Sequence, residues 1–547
     1  MQFFSRLLKQ KKHLIAGLVT LVWTIFVLPI NEAIYFLIPD PNSHEYIVSL
    51  VLKAGFAATL YGAVYFLAYF ANKLVEKSAF HWKWLKFFGV LFAINTVLFL
   101  LIYPGHFVSD EFNLLTDAYA YNVVSWQHIF TYLFYVFSLY IFPSAPILVL
   151  IQYTIISFIA GFMLAKVHDV LPQKKYLTFL LFIPLLLPPI ILNNLYPLRT
   201  PLYGYLEVLL LLNFVFLYIS KPKVKPYAAL IGFTSLIAIL GFWRSEGIYL
   251  IALLPLIIWR LGIINRTNYK RVKAWVLVAL ALLPIAFTGY LTKITSDPAY
   301  ALTSVAGPIS ILATNPEIME SSAAEFESIG KVLNIYTLQQ TADYTEIRSF
   351  WGLSEYPPVL MPGYEQHLSE FYVATAKLFL AHPVEFMKAK TNTFLHANAL
   401  DPTHPYVTLA GVYLDKNIGN DFEDGRIDTF FSQNRGSHPI NQEVKHEVTQ
   451  ALLLSDSNYK PTLARQVIWS AIPIGALLLA AFVYHIVRRR WIWAIAIAAI
   501  LFQAAITFLT APASYFMYYL PLYIAGWFLL GFMVVWWLSH RQPKKSR

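Results

Sequence analysis

The chain has 547 residues, of which 58% are hydrophobic and only 13% charged, with a mean hydropathy of +0.56. A soluble protein of this length carries roughly 25% charged residues, so lipid must cover part of this surface. There is no cysteine, which excludes a disulfide framework, Cys-ligated zinc and a thiol nucleophile. The net charge of +11 would raise nucleic acid as a partner in a soluble protein, and the placement of the charges answers that question below.

A helix needs roughly 20 apolar residues to cross the hydrocarbon core. In chain order, such stretches lie at 14–38, 46–70, 86–103, 145–165, 176–193, 201–219, 227–243, 247–260, 274–292, 464–487, 491–510 and 515–538. The first is too long for a signal peptide and lacks a small-residue cleavage site, so it reads as a retained span. The apolar stretch 128–142 is only about 15 residues, short for a crossing, and reads as an interfacial or re-entrant helix.

Lys and Arg orient the bundle. Seven segments, 1–13, 71–85, 166–175, 220–226, 260–273, 488–490 and 541–547, hold 25 of the 41 basic residues. The short loops on the opposite side hold only Arg199 and Arg244. This pattern places both termini in the cytoplasm. The positive charge is a topology signal, and nucleic acid is not an expected partner.

Residues 293–463 differ in character, with 20 Asp and Glu against 11 Lys and Arg. About 170 residues suffice for one small domain. It faces outward between the ninth and tenth spans. A helical period with a proline break over 366–396 favours an α-rich or α/β fold. The predicted organisation is therefore 1–85, a cytoplasmic tail and two additional spans; 86–292, a membrane core with its first outer loop at 104–144; 293–463, an extracytoplasmic domain; and 464–547, three C-terminal spans and a basic tail.

The first outer loop holds the adjacent carboxylates Asp110 and Glu111, with Asp117 further on, and no Lys or Arg at all. A carboxylate is a usual general base for activating a hydroxyl. An equal reading makes Asp110 the N-cap of a helix starting near Glu111. Arg199 and Arg244, isolated at the membrane edge, suit a bidentate phosphate contact. Alternatively they snorkel to headgroups, or Arg244 pairs with Glu246. Glu207 lies about two turns below Arg199 within a span, where a charge is costly and points to function. Lys53, in the second span, is near enough to the outer end to snorkel. Six histidines fall in 293–463 with no helical metal-ligand spacing, and no Gly-Lys-Thr phosphate loop occurs anywhere.

The stretch from Ser109-Asp110-Glu111 through Trp126-Gln127-His128 to Ala145-Pro146, followed by the Arg199 loop and Trp243-Arg244-Ser245-Glu246-Gly247, resembles the GT-C superfamily of membrane glycosyltransferases. The resemblance covers about 86–292 and, more loosely, the last three spans. It implies a GT-C-like bundle of about 12 transmembrane helices acting on the outer face of a bacterial plasma membrane. The implied reaction moves a sugar from a polyprenyl-phosphate donor to an envelope glycan, glycolipid or protein, with teichoic acid or capsular polysaccharide among the acceptors. It implies Asp110 as catalytic base, with Glu111 the second choice, and Arg199 and Arg244 as donor-phosphate ligands. His106, Asp117, Trp126, His128, Glu207 and Glu246 would support the site. The expected outcome is inverting; a retaining double displacement would need Glu111 or Glu246 as nucleophile. The residues specify no cofactor, although some members of that superfamily recruit a divalent cation such as Mg or Mn. The rival readings are a transporter or flippase, a polymerase or ligase, or a non-catalytic assembly protein, each for a lipid-linked surface glycan. A transporter is expected to place charged residues or broken helices near mid-membrane.

Overall fold

A computed structural model describes residues 2–107, 109–123, 128–171, 174–220, 226–262, 279, 282–293, 298–343, 350, 355–398, 439–454 and 462–540. Among them the fold is α-helical, and the only β pairing is an isolated bridge between Leu333 and Leu360. Nine helices among the described residues are long and apolar enough to cross a membrane: Lys11–Tyr35, His44–Val75, Ala79–Leu101, Pro146–Val170, Arg199–Ile219, Pro226–Trp243, Leu463–Val487, Trp491–Thr510 and Leu520–His540. All nine coincide with stretches expected from the sequence.

The remaining three expected spans differ. The stretch 176–193 is a broken element, Lys175–Leu185 and Pro188–Asn194, bent by 73°. Its prolines explain the break: Pro188 and Pro189 donate no backbone N–H, and Pro188 disfavours helix at Leu187, which is extended. The stretch 247–260 is a 3₁₀ helix, Ser245–Leu253, followed by the short α-helix Leu254–Arg260 with a proline at its start. Because a 3₁₀ turn rises about 2.0 Å per residue against 1.5 Å in an α-helix, the summed rise is still about 28 Å. Of 274–292, the structure describes 279 and 282–292, all of them helical, and the rest lies outside the described residues. The stretch 128–142 is a 13-residue helix, Ile129–Ile141.

The chain divides into two compact units. The first comprises Met1–Thr295, Gly411–Leu452 and Ile524–Arg547. At its centre Pro146–Val170 packs on Ala79–Leu101 and Arg199–Ile219. Gly161 permits the first contact: a Cβ there would stand 2.7 Å from the Phe88 backbone nitrogen. Gln152 fixes the turn after the broken element by donating to the carbonyls of Asn194 and Tyr196. Lys53 pairs at 2.7 Å with Glu32 of the neighbouring span, and Tyr121 donates to the same carboxylate at 2.6 Å. A membrane charge with a partner so close gains more from pairing than from stretching to water.

The second unit comprises Ser296–Ala410 and Leu453–Tyr523. Short helices between Pro298 and Ala381 bury a core that includes Leu302, Ile309, Ile329, Leu338, Phe371 and Leu378. The expected proline break is present: Leu368–Ala381 ends at His382, and Pro383 starts the next helix, Pro383–Ala397. The spans Leu463–Val487 and Trp491–Thr510 belong to this unit, whereas Gln442–Leu453 belongs, up to its last residue, to the first.

Candidate functional site

Asp110 is not the N-cap. The helix Ser109–Tyr119 already includes it, and both carboxylates lie in the first turn. That turn favours acids because the helix dipole is positive there. The helix then separates the two carboxylates by face. Glu111 is on the side of Leu114, Leu115 and Ala118 and is fully buried. Asp110 shares the more open side with Asn113 and Asp117, one and two turns on.

Two tyrosines face this turn. Tyr196 lies close to the Glu111 carboxylate and within the field of Asp110. Tyr135 lies near both carboxylates and donates to the Pro197 carbonyl at 3.1 Å. The segment before Arg199 is thereby held against the acidic turn. A short loop completes the contact. Gly105 adopts φ +103°, where a Cβ would stand 2.7 Å from Val149 and 2.9 Å from the Leu195 carbonyl, so only glycine fits. The following His106 N–H donates to Leu195 at 3.1 Å.

Arg199 begins the span Arg199–Ile219 and remains partly exposed. Its charge is felt by His128 and by Glu246. His128 is held in strained backbone, φ +69°, at the start of Ile129–Ile141. Its Nδ1 accepts from the Phe130 N–H at 3.3 Å, which leaves Nε2 to donate to Thr292 at 2.8 Å. Burial and the Arg199 charge push its pKa down to about 4, so the ring is neutral. Strain of this kind concentrates at functional positions.

Arg244 is buried and engaged. It pairs with Glu246 at 2.9 Å, donates to Thr200 at 3.1 Å and lies over the Tyr203 ring at 5.8 Å. Burial works against the Glu246 carboxylate, but the Arg244 charge and hydrogen bonds, with Arg199 beyond, hold it down to about 2. Gly247 lets this turn close: a Cβ would stand 2.2 Å from the Leu240 carbonyl. Glu207 is fully buried below, accepting from Tyr249 at 3.2 Å within the field of Arg244.

His106 is also buried, and among the described residues neither ring nitrogen has a hydrogen-bond partner. Beside it lies a residue that nothing in its local sequence singles out. Lys445, on Gln442–Leu453, is 4% exposed and donates to the Gly105 carbonyl at 3.0 Å. Burial pushes its pKa down to about 7, and burial together with Lys445 pushes that of His106 down to about 3. A lysine 340 positions away on an ordinary polar helix leaves no local trace in the sequence. Trp126 lies outside the described residues, and among those described no group of three or more His, Asp or Glu is placed to hold a metal.

The fold thus defines a multi-pass α-helical membrane protein whose first unit gathers segments 103–117, 193–207 and 243–249. No protein-family model matches the chain, and no curated protein or solved structure does so either.

Proposed function

We propose that the chain is a membrane glycosyltransferase of GT-C type. It would transfer a sugar from a polyprenyl-phosphate donor to a cell-envelope acceptor on the outer face of a bacterial plasma membrane, with both termini cytoplasmic. One observation carries the reading: of the charged groups gathered here, Asp110, Asp117 and Arg199 remain partly open, while Glu111, Glu207, Arg244 and Glu246 are buried, and Asp110 is the open carboxylate in the first turn of its helix.

That division supports the following roles. Asp110 takes the proton of the acceptor hydroxyl as it attacks the anomeric carbon. Arg199 offsets the charge growing on the departing lipid phosphate. Glu111, buried beside Tyr196, anchors the acidic turn. Arg244, already neutralised by Glu246, positions the 243–249 turn beside Thr200 instead of meeting the phosphate. A single displacement of this kind inverts the anomeric centre.

A second reading, a flippase for the same class of lipid-linked glycan, draws on the 73° break at Lys175–Asn194 and on buried Glu207. The test is the envelope glycan of a deletion strain complemented with wild type or Asp110→Asn at equal membrane levels. The transferase reading requires that a sugar lost on deletion return with wild type only. Full restoration by Asp110→Asn removes Asp110 as the base and favours the flippase.

A further inference from the structure

The first unit buries a lysine and a histidine together and gives neither an acidic partner among the described residues. Lys445 is 4% exposed and His106 3%. The Lys445 ammonium donates to the Gly105 carbonyl at 3.0 Å. That is its one hydrogen bond among the described residues, so two of its three N–H donors are unused. Neither ring nitrogen of His106, the next residue after Gly105, has a partner there, which leaves one donor and one acceptor unused. Burial lowers the pKa of both groups, and the Lys445 charge lowers that of His106 further. The two side chains thus lie within each other's field, and no carboxylate offsets the charge.

A second buried lysine shows what a purely structural role looks like. Lys390 of the second unit is 2% exposed and donates to two carbonyls, Ser304 at 2.9 Å and Ala511 at 3.2 Å. Its ammonium ties two segments together. Lys445 holds one carbonyl only, beside a histidine that holds nothing. Buried polar groups without partners are costly, and apolar side chains of similar size would fill the same space without that cost. Packing therefore does not account for this pair, whereas a bound group does.

The unused atoms define the chemistry of that group. Two donors from Lys445 and one from His106 suit an anion with three outward oxygens, and an anion would restore the ammonium that burial disfavours. Phosphate has that shape and charge. The second His106 nitrogen can accept from a P–OH or a neighbouring hydroxyl. A cation would meet the ammonium and be repelled. The backbone N–H of His106 donates to the Leu195 carbonyl, four residues before Arg199, and Asp110 follows His106 by four residues. The pair therefore adjoins the segments that carry the partly open Asp110 and Arg199.

We propose that Lys445 and His106 form a phosphate-binding site in the first unit, filled by the phosphate of a lipid or by free phosphate. The inference goes beyond the transferase reading and does not rest on it, since a flippase for a lipid-linked phosphate would use the same site.

Thermal unfolding of the full-length protein in dodecyl maltoside, at pH 7 in phosphate-free buffer, tests it, because a ligand that binds the folded state raises the melting temperature. Inorganic phosphate probes the free source, with potassium chloride at matched ionic strength as its control. Farnesyl phosphate probes the lipid source, with farnesol as its control. The expected result is a rise with one or both phosphates beyond their controls, and the probe that acts identifies the source. Lys445→Met, which keeps the buried length without the charge, should abolish the rise. His106→Phe should weaken apparent affinity about tenfold, the value of one charge-assisted hydrogen bond. Both variants are read, so that one decides if the other does not fold. No rise with either phosphate, a rise that the controls reproduce, or an unchanged response in either folded variant overturns the proposal.

Discussion

The first two spans and the central spans of the first unit are built from similar apolar sequences, yet they solve different problems. Only 11% of the apolar window in Lys11–Tyr35 and 17% of that in His44–Val75 is buried by protein, against 61% in Pro146–Val170 and 72% in Arg199–Ile219. The outer pair is joined to itself by the ion pair Lys53–Glu32, with side chains 25% and 12% exposed. The central spans adjoin Arg244–Glu246, at 3% and 10%, and bury Gln152, Asn194 and Glu207. Lipid can replace protein around the first set. Around the second every polar group needs a protein partner, and that is where a reaction site can be held in fixed geometry.

The comparison can be broken in several places. The largest effect is expected at Asp110. Asp110→Asn should lower sugar transfer by about 10²–10⁴-fold, the usual contribution of a general base, without altering thermal stability in detergent. A parallel loss of stability would make Asp110 structural.

Next comes Arg244→Met, which strands a buried carboxylate. A loss of about 3–5 kcal/mol is expected, read as a lower melting temperature, and adding Glu246→Gln should recover most of it. If the double variant is no better than the single one, the pair is not the reason Arg244 is buried.

Lys445 gives a pH dependence. Its folded pKa is about 7, well below the 10.5 of an unfolded lysine. Between these values the unfolded state binds the extra proton, so stability rises with pH. The penalty of burying the charge is complete below about pH 7 and relieved towards pH 10. Lys445→Met should flatten the dependence of melting temperature over that window and raise stability at its lower end. An unchanged slope would show that Lys445 reaches water.

The smallest effect is expected in the outer spans. Glu32→Gln with Lys53→Met keeps an acceptor for Tyr121 and removes both charges together, so the change should stay within about 1 kcal/mol. A cost as large as that at Arg244 would erase the distinction between the two regions.

By itself the sequence determined that this chain is a helical membrane protein, and it located nine of the spans, because twenty apolar residues have no other stable use in a chain with so little charge. The proline break at 382–383 was equally legible, since a missing N–H acts locally. The acidic pair and the two arginines stood out for the same reason: each is a charge where the local composition carries almost none. What the sequence could not decide is which of those charges stay open. Asp110 and Glu111 are adjacent, and only the face each takes on its helix separates them. Arg199 and Arg244 both suited a phosphate, and only the structure shows that Arg244 takes the alternative, sealed against Glu246 and Thr200. Lys445 was invisible because its role depends on a carbonyl 340 residues away. Hydropathy and backbone breaks depend on neighbours along the chain, whereas the pairing and burial of a charge depend on neighbours in space, which only the tertiary structure supplies.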